Sequence, residues 1–154
     1  MRRVYVALGI GIFCVVCATV GQVGAASNEE AASEAMHALD EFMEAFNARD
    51  PVAWAATLNY PHVRIAGGSL RVWETEAEFA EYMDFDAFAV RFGWDHSAWD
   101  LREIVQSGKD KVHVAVRFSR YNADNEKIAT YDSLYIVTRM DGHWGTQARS
   151  SYAP

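Results

Sequence analysis

After residue 17 the sequence contains no cysteine; the two it has are Cys14 and Cys17. Both lie in an apolar stretch, so their C-x-x-C spacing reads as accidental rather than redox-active, and residues 27–154 can form no disulfide. That part of the chain must be held by its core alone. Signatures of several enzyme classes are missing too: there is no G-x-S-x-G, no H-E-x-x-H and no phosphate-binding glycine loop. His62, His96, His113 and His143 show no tight metal-ligand spacing, so neither a metal nor another cofactor is expected. Basic charge is also short. Lys and Arg number 14 against 21 Asp and Glu, a formal net charge of −7 that loss of Arg2 and Arg3 takes to −9. Nucleic acid and anionic membranes are therefore not expected partners.

What is present begins with a leader. "MRR" supplies a positive start, Val4 to Val20 carries no charge, and "GQVGAA" places small residues for cleavage after Ala25 or Ala26. This pattern reads as a secretory signal peptide over residues 1–26, followed by a single domain over residues 27–154 that is periplasmic or secreted. The alternative is an uncleaved membrane anchor, since the apolar run is at the short end of what spans a bilayer.

The domain opens with an amphipathic helix carrying Met36, Leu39, Met43 and Phe46, with Phe42 beside them. Asp40 sits at the edge of that stripe. Asp50 followed by Pro51 starts a short second helix, "PVAWAATL". "HVRIAGGSLRVW" is a hairpin turning at Gly67 and Gly68, which pairs Val63 with Val72 and Ile65 with Leu70 and puts His62, Arg64, Arg71 and Trp73 on the opposite side. "TEAE" is a capping box for a third helix, expected to run, bent near "DFD", to about Phe92. Four strand-like runs follow, separated by "SGKD", "NADNE" and "DG", as in an antiparallel meander.

Helix, short helix, hairpin, helix and meander make an α+β plan, a curved antiparallel sheet wrapped around about three helices. With "FNARDPVAWAATL", the "DKVHVAVRFSRYNADNEKIATYDSLYIVTRMDGHW" meander and the W-x-x-x-A-R-S-S close, the chain resembles the SnoaL-like branch of the nuclear transport factor 2-like superfamily over Ala31 to Tyr152. The resemblance implies a cone-shaped fold whose open end is often a pocket. Relatives include ketosteroid isomerases, dehydratases and polyketide cyclases, and dimers are common among them.

Regular alternation through the Asp141-Gly142 turn pairs Tyr135 with Ala148, Val137 with Thr146 and Ser133 with Ser150. With Asp124-Asn125 as the preceding turn, Val112, Val114, Val116, Phe118 and Tyr131 join that face. Burial of apolar area is worth roughly 25 cal/mol per Å² and a buried unpaired charge is costly, so this face is expected inside. Arg117, Asp132, Gln147 and Arg149 are then expected outside, which argues against the paired aspartate and arginine site of the epoxide hydrolases. The expected pocket is lined by Tyr60, Trp73, Trp99, Tyr135, Thr146, Ala148 and Ser150, the last three small enough to leave room for an apolar molecule.

Three functions follow. The first is an exported domain binding a small apolar ligand. The second is an acid–base enzyme of the isomerase, dehydratase or cyclase kind, with His96 or Asp95 as base and Tyr131 as donor. Against that stands the reading of "GWDHSAW" as a structural turn between helix and strand. The third is a non-catalytic module, a homodimer through Leu134 and Ile136 on the convex face.

Overall fold

The computed structural model describes residues 20–154, with side chains from Asn28 onward. The leader expected over residues 1–26, with both cysteines, lies outside the described residues as far as residue 19. The elements are α1 (Val20–Asn47), α2 (Pro51–Ala56), β1 (Leu58–Ala66), β2 (Ser69–Trp73), α3 (Glu76–Tyr82), α4 (Phe85–Phe92), β3 (His96–Gly108), β4 (Lys111–Tyr121), β5 (Lys127–Met140) and β6 (His143–Ser151).

Helix boundaries follow local chemistry. The Asp50 carboxylate accepts from the amides of Val52 and Ala53 at 3.0 and 2.9 Å, and Pro51 follows it, so α2 starts where its first amides need partners. The Thr75 hydroxyl accepts from the Glu78 amide at 3.3 Å, while the Glu78 carboxylate reaches back to the Glu74 amide, one residue before the expected box partner. The single bent helix expected to reach Phe92 is two helices. Asp84 caps α4 by accepting from the Ala87 amide at 2.9 Å, and Gly93, at φ 61°, ends it in the left-handed conformation.

The six strands form one sheet in the order β2-β1-β6-β5-β4-β3. All neighbours are antiparallel except β1 and β6, which run parallel and join the hairpin to the meander. Long α1 lies across the sheet's inner face, burying Leu39 and Phe42 together with Ala31, Ala35, Ala38 and Ala45. The small alanines let the helix backbone approach the strands. Beneath α2, α3 and α4 the aromatic rings close the core: Trp54 meets Phe46, Phe79 and Phe85 at centroid distances of 4.9, 4.8 and 5.7 Å.

Two expected registers hold. The first hairpin pairs Val63 with Val72 and Ile65 with Leu70, and the second meander turn pairs Phe118 with Tyr131 and Val112 with Val137. In the last hairpin Val137 does oppose Thr146, but the register then shifts: Ile136 opposes Ala148, Tyr135 opposes Arg149 and Leu134 opposes Ser150. Gln147 is the extra residue of a β-bulge, and a slip of one residue exchanges the faces of everything beyond it. Ala148 and Ser150 therefore lie on the outer side, contrary to expectation. Arg149, expected outside, points inward and is only 8% exposed.

Candidate functional site

Between the inner face of the sheet, α1 and the α3–α4 pair lies a cavity of about 230 Å³. Its apolar walls include Phe42, Phe46, Trp54, Trp73, Phe79 and Phe118. Half-exposed Tyr82 and exposed Arg91 also line it and mark where it meets solvent. The volume is below the ~300–1,000 Å³ of pockets that enclose drug-sized ligands, and it suits a molecule of one or two rings.

Arginines enter the cavity from three strands: Arg64 from β1, Arg120 from β4 and Arg149 from β6. Arg149 lies over Phe42, Trp54 and Tyr135, its guanidinium carbon 5.1, 5.4 and 5.8 Å from their ring centres. Arg120 is held in the same way by Phe88, Phe92 and Tyr131 at 4.8, 5.4 and 4.9 Å. Ring faces offset part of the cost of taking these charges out of water, about 2 kcal/mol for a well-placed desolvated contact. Arg64 donates to the main-chain oxygens of Ala153 and Pro154 at 3.0 Å each. Burial lowers the pKa of both Arg64 and Arg120, and for Arg64 the neighbouring Arg149 charge adds to the effect.

Behind Arg149 sits His62, fully buried against Trp73 and Phe79. Its Nδ1 is 2.9 Å from the carbonyl oxygen of Thr146, which can only accept, and Arg149 Nε donates to its Nε2 at 3.3 Å. One neutral tautomer, protonated at Nδ1 and bare at Nε2, satisfies both. Burial and the adjacent arginines push its pKa down to about 3, against a partial restoring effect of the Thr146 bond.

Of the residues expected to line a pocket, Trp73 and Tyr135 do so. Thr146 faces inward and is fully buried. Tyr60 donates its hydroxyl to the Ala55 carbonyl at 2.8 Å, and burial, with Glu76 nearby, raises the phenol pKa. Trp99 packs into the core against Phe42, Phe118 and Tyr135. Ala148 and Ser150 are turned away by the bulge.

The expected catalytic trio is not assembled in the cavity. Asp95 and His96 meet each other at 3.0 Å, but at the surface, where Asp95 also reaches Arg49 at 3.3 Å and His96 stacks on Tyr121 at 5.0 Å. The surrounding bonds are structural: the Asn47 amide side chain exchanges two 2.9 Å hydrogen bonds with the Ser97 backbone, and Trp94 Nε1 donates to the Ser97 hydroxyl. They pin the end of α1 to the start of β3. Tyr131 packs on Phe118 and Arg120 instead. Asp40 is exposed and pairs with Arg102, and Arg117 pairs with Asp132 on the outer side as expected. Among the described residues no group of three or more His, Cys, Asp or Glu could hold a metal ion.

Sequence reasoning passed over the arginines. Arg64 was legible, being on the same hairpin face as His62 and Trp73. Arg120 was legible too, two residues beyond Phe118 on an alternating strand. Arg149 was not, because its orientation depends on the bulge.

The family model for an NTF2-like protein (DUF6841) matches residues 31–151. The chain belongs to this NTF2-like family. Solved structures agree on the fold. An NTF2-like protein with a cystatin-like fold from Novosphingobium aromaticivorans superposes with a TM-score of 0.69 at 9% identity, over 89% of this chain and 90% of that one. A protein of unknown function with a cystatin-like fold from Nostoc punctiforme gives 0.63 at 16% identity, over 77% and 87%. A ketosteroid isomerase-like protein from Erwinia carotovora atroseptica gives 0.58 at 25% identity, over 81% and 96%. Among curated protein sequences none matches.

Proposed function

We propose that this NTF2-like protein is an exported, SnoaL-like small-molecule-binding domain whose cavity takes a ligand with an apolar body of one or two rings. The observation that carries the reading is the aromatic-walled cavity of about 230 Å³ between the sheet and α1. Export rests on the charge-free run from Val4 to Val20 and the small residues after it. An acid–base reaction would need a carboxylate or histidine beside a tyrosine in the cavity. The described lining offers tyrosines and arginines instead, so binding is the better supported reading.

Titration of the purified protein with naphthalene-2-acetamide, an uncharged two-ring probe, tests it through tryptophan fluorescence, because Trp54 and Trp73 line the cavity. Saturable quenching is expected in the wild type and not in Ser151→Phe, whose added ring fills the space. Linear, non-saturating quenching in both proteins would sink the reading.

A second reading is supported by the convex face. Ile65, Leu70 and Val72 are 45%, 67% and 42% exposed, and Leu134 continues the apolar surface across the sheet at 37%. A second copy of the chain is the proposed occupant, since a two-fold contact buries the same patch on both partners. Light scattering should give a dimer for the wild type and a monomer for Leu70→Glu combined with Leu134→Glu; a monomeric wild type at high concentration removes the idea.

A further inference from the structure

The charged side chains that line the cavity are of one sign. Arg64, Arg91, Arg120 and Arg149 line it, and among the described lining residues there is no Asp or Glu side chain. Arg64 and Arg149 are register partners on the parallel strands β1 and β6, so two like charges sit side by side on the inner face. Such a pairing opposes folding and calls for a compensating anion. Arg120 is only 6% exposed, yet its Nε and Nη1 are buried without a hydrogen-bond partner. Buried donors of a charged group are rarely left unmet unless something else supplies the acceptor.

The residue behind Arg149 points the same way. Where an ion-paired arginine would have Asp or Glu behind it, Arg149 has neutral His62, which accepts from Nε and leaves the charge uncompensated. Fixing Nε also aims the rest of the guanidinium. The cation's own bed is aromatic, and ring faces hold a guanidinium without neutralising it.

We propose that the cavity binds the carboxylate of a small acid with an apolar or aromatic body, Arg120 and Arg149 holding the carboxylate and the aromatic walls holding the body. The proposal rests on the cavity-binding reading above and gives it a chemical class. A planar carboxylate matches the planar guanidinium fork, and the cavity leaves most of its space to apolar surface. His62 acts as a positioning residue through Arg149.

A matched pair of probes separates head from body: naphthalene-2-acetate and its uncharged amide, titrated calorimetrically into the whole protein at low and high salt. The acid is expected to bind about tenfold or more tighter than the amide, with the advantage shrinking as salt rises. Arg120→Met and Arg149→Met should each weaken acid binding about tenfold and leave the amide within about twofold. Arg120→Lys, which keeps the charge, should recover part of the loss, and His62→Gln, which keeps an acceptor for Arg149, should bind better than His62→Leu. Circular dichroism melts confirm that each variant is folded. Equal affinity of acid and amide, or methionine variants that weaken both equally, overturns this proposal while leaving the cavity-binding reading intact. Failure of both probes to bind overturns both.

Discussion

His62 offers a test of the pocket's electrostatics that needs no ligand. In the folded protein its pKa is held at about 3, against 6.5 for an unhindered histidine. Above pH 6.5 the imidazole is neutral in folded and unfolded chains alike, and the native contacts with Thr146 and Arg149 are intact. Below pH 6.5 the unfolded chain takes up a proton that the folded one refuses, so stability falls as pH falls, and it keeps falling until the folded pKa is reached. One proton corresponds to about 1.4 kcal/mol per pH unit. Between pH 6.5 and 4.5 this group alone should therefore remove about 2–3 kcal/mol, a sizeable part of the ~5–15 kcal/mol available to a domain. The assay is urea unfolding of wild type and His62→Gln at half-unit steps from pH 7.5 to 4. Glutamine keeps an oxygen acceptor for Arg149 but does not titrate, and carboxylates common to both proteins cancel in the difference. The variant's stability should fall less steeply by about one proton's worth over that window. Parallel curves would refute the argument that His62 is buried and neutral.

Three further outcomes are expected. Phe79→Ala removes a ring 1% exposed and packed 4.8 Å from Trp54 and 5.0 Å from Trp73, and should cost about 3–5 kcal/mol by urea unfolding. Gly145→Ala would place a Cβ 2.9 Å from the Leu58 carbonyl carbon and 3.1 Å from the Asn59 nitrogen; both are backbone atoms that cannot swing aside, so the β1–β6 contact must open and the melting temperature should drop by several degrees. Asp95→Asn and His96→Ala act at the surface pair, and should leave naphthalene-2-acetate affinity within about twofold and stability within about 1 kcal/mol. Loss of probe binding in either would move the site out of the cavity.

Most of the architecture was legible because it is written in local signals. Asp50-Pro51, Thr75 and the Gly67-Gly68 turn each satisfy nearby backbone groups or set nearby dihedral angles, so they act before any tertiary contact forms. The Val112–Phe118 alternation assigned its own inner face correctly for the same reason. The break between α3 and α4 was less clear: "DFD" carries a cap in Asp84 that periodicity alone reads as a bend.

The candidate site was only partly visible, and charge is the reason. Excluding arginine from the interior follows from the cost of an unpaired buried cation, and for Arg117 it holds. For Arg120 and Arg149 that cost is offset by aromatic faces drawn from α1, α2, α4 and β5, which no window of sequence brings together. Whether Arg149 points in or out turns on one extra residue, Gln147, in a strand that pairs antiparallel with β5 on one side and parallel with β1 on the other. The sequence by itself determined the elements, the turns and which strands have an apolar face, because these depend on neighbours a few residues away. Only the tertiary structure decided that three arginines converge on one cavity, because a bulge's position and a cation's surroundings are set by strands and helices far apart in the chain.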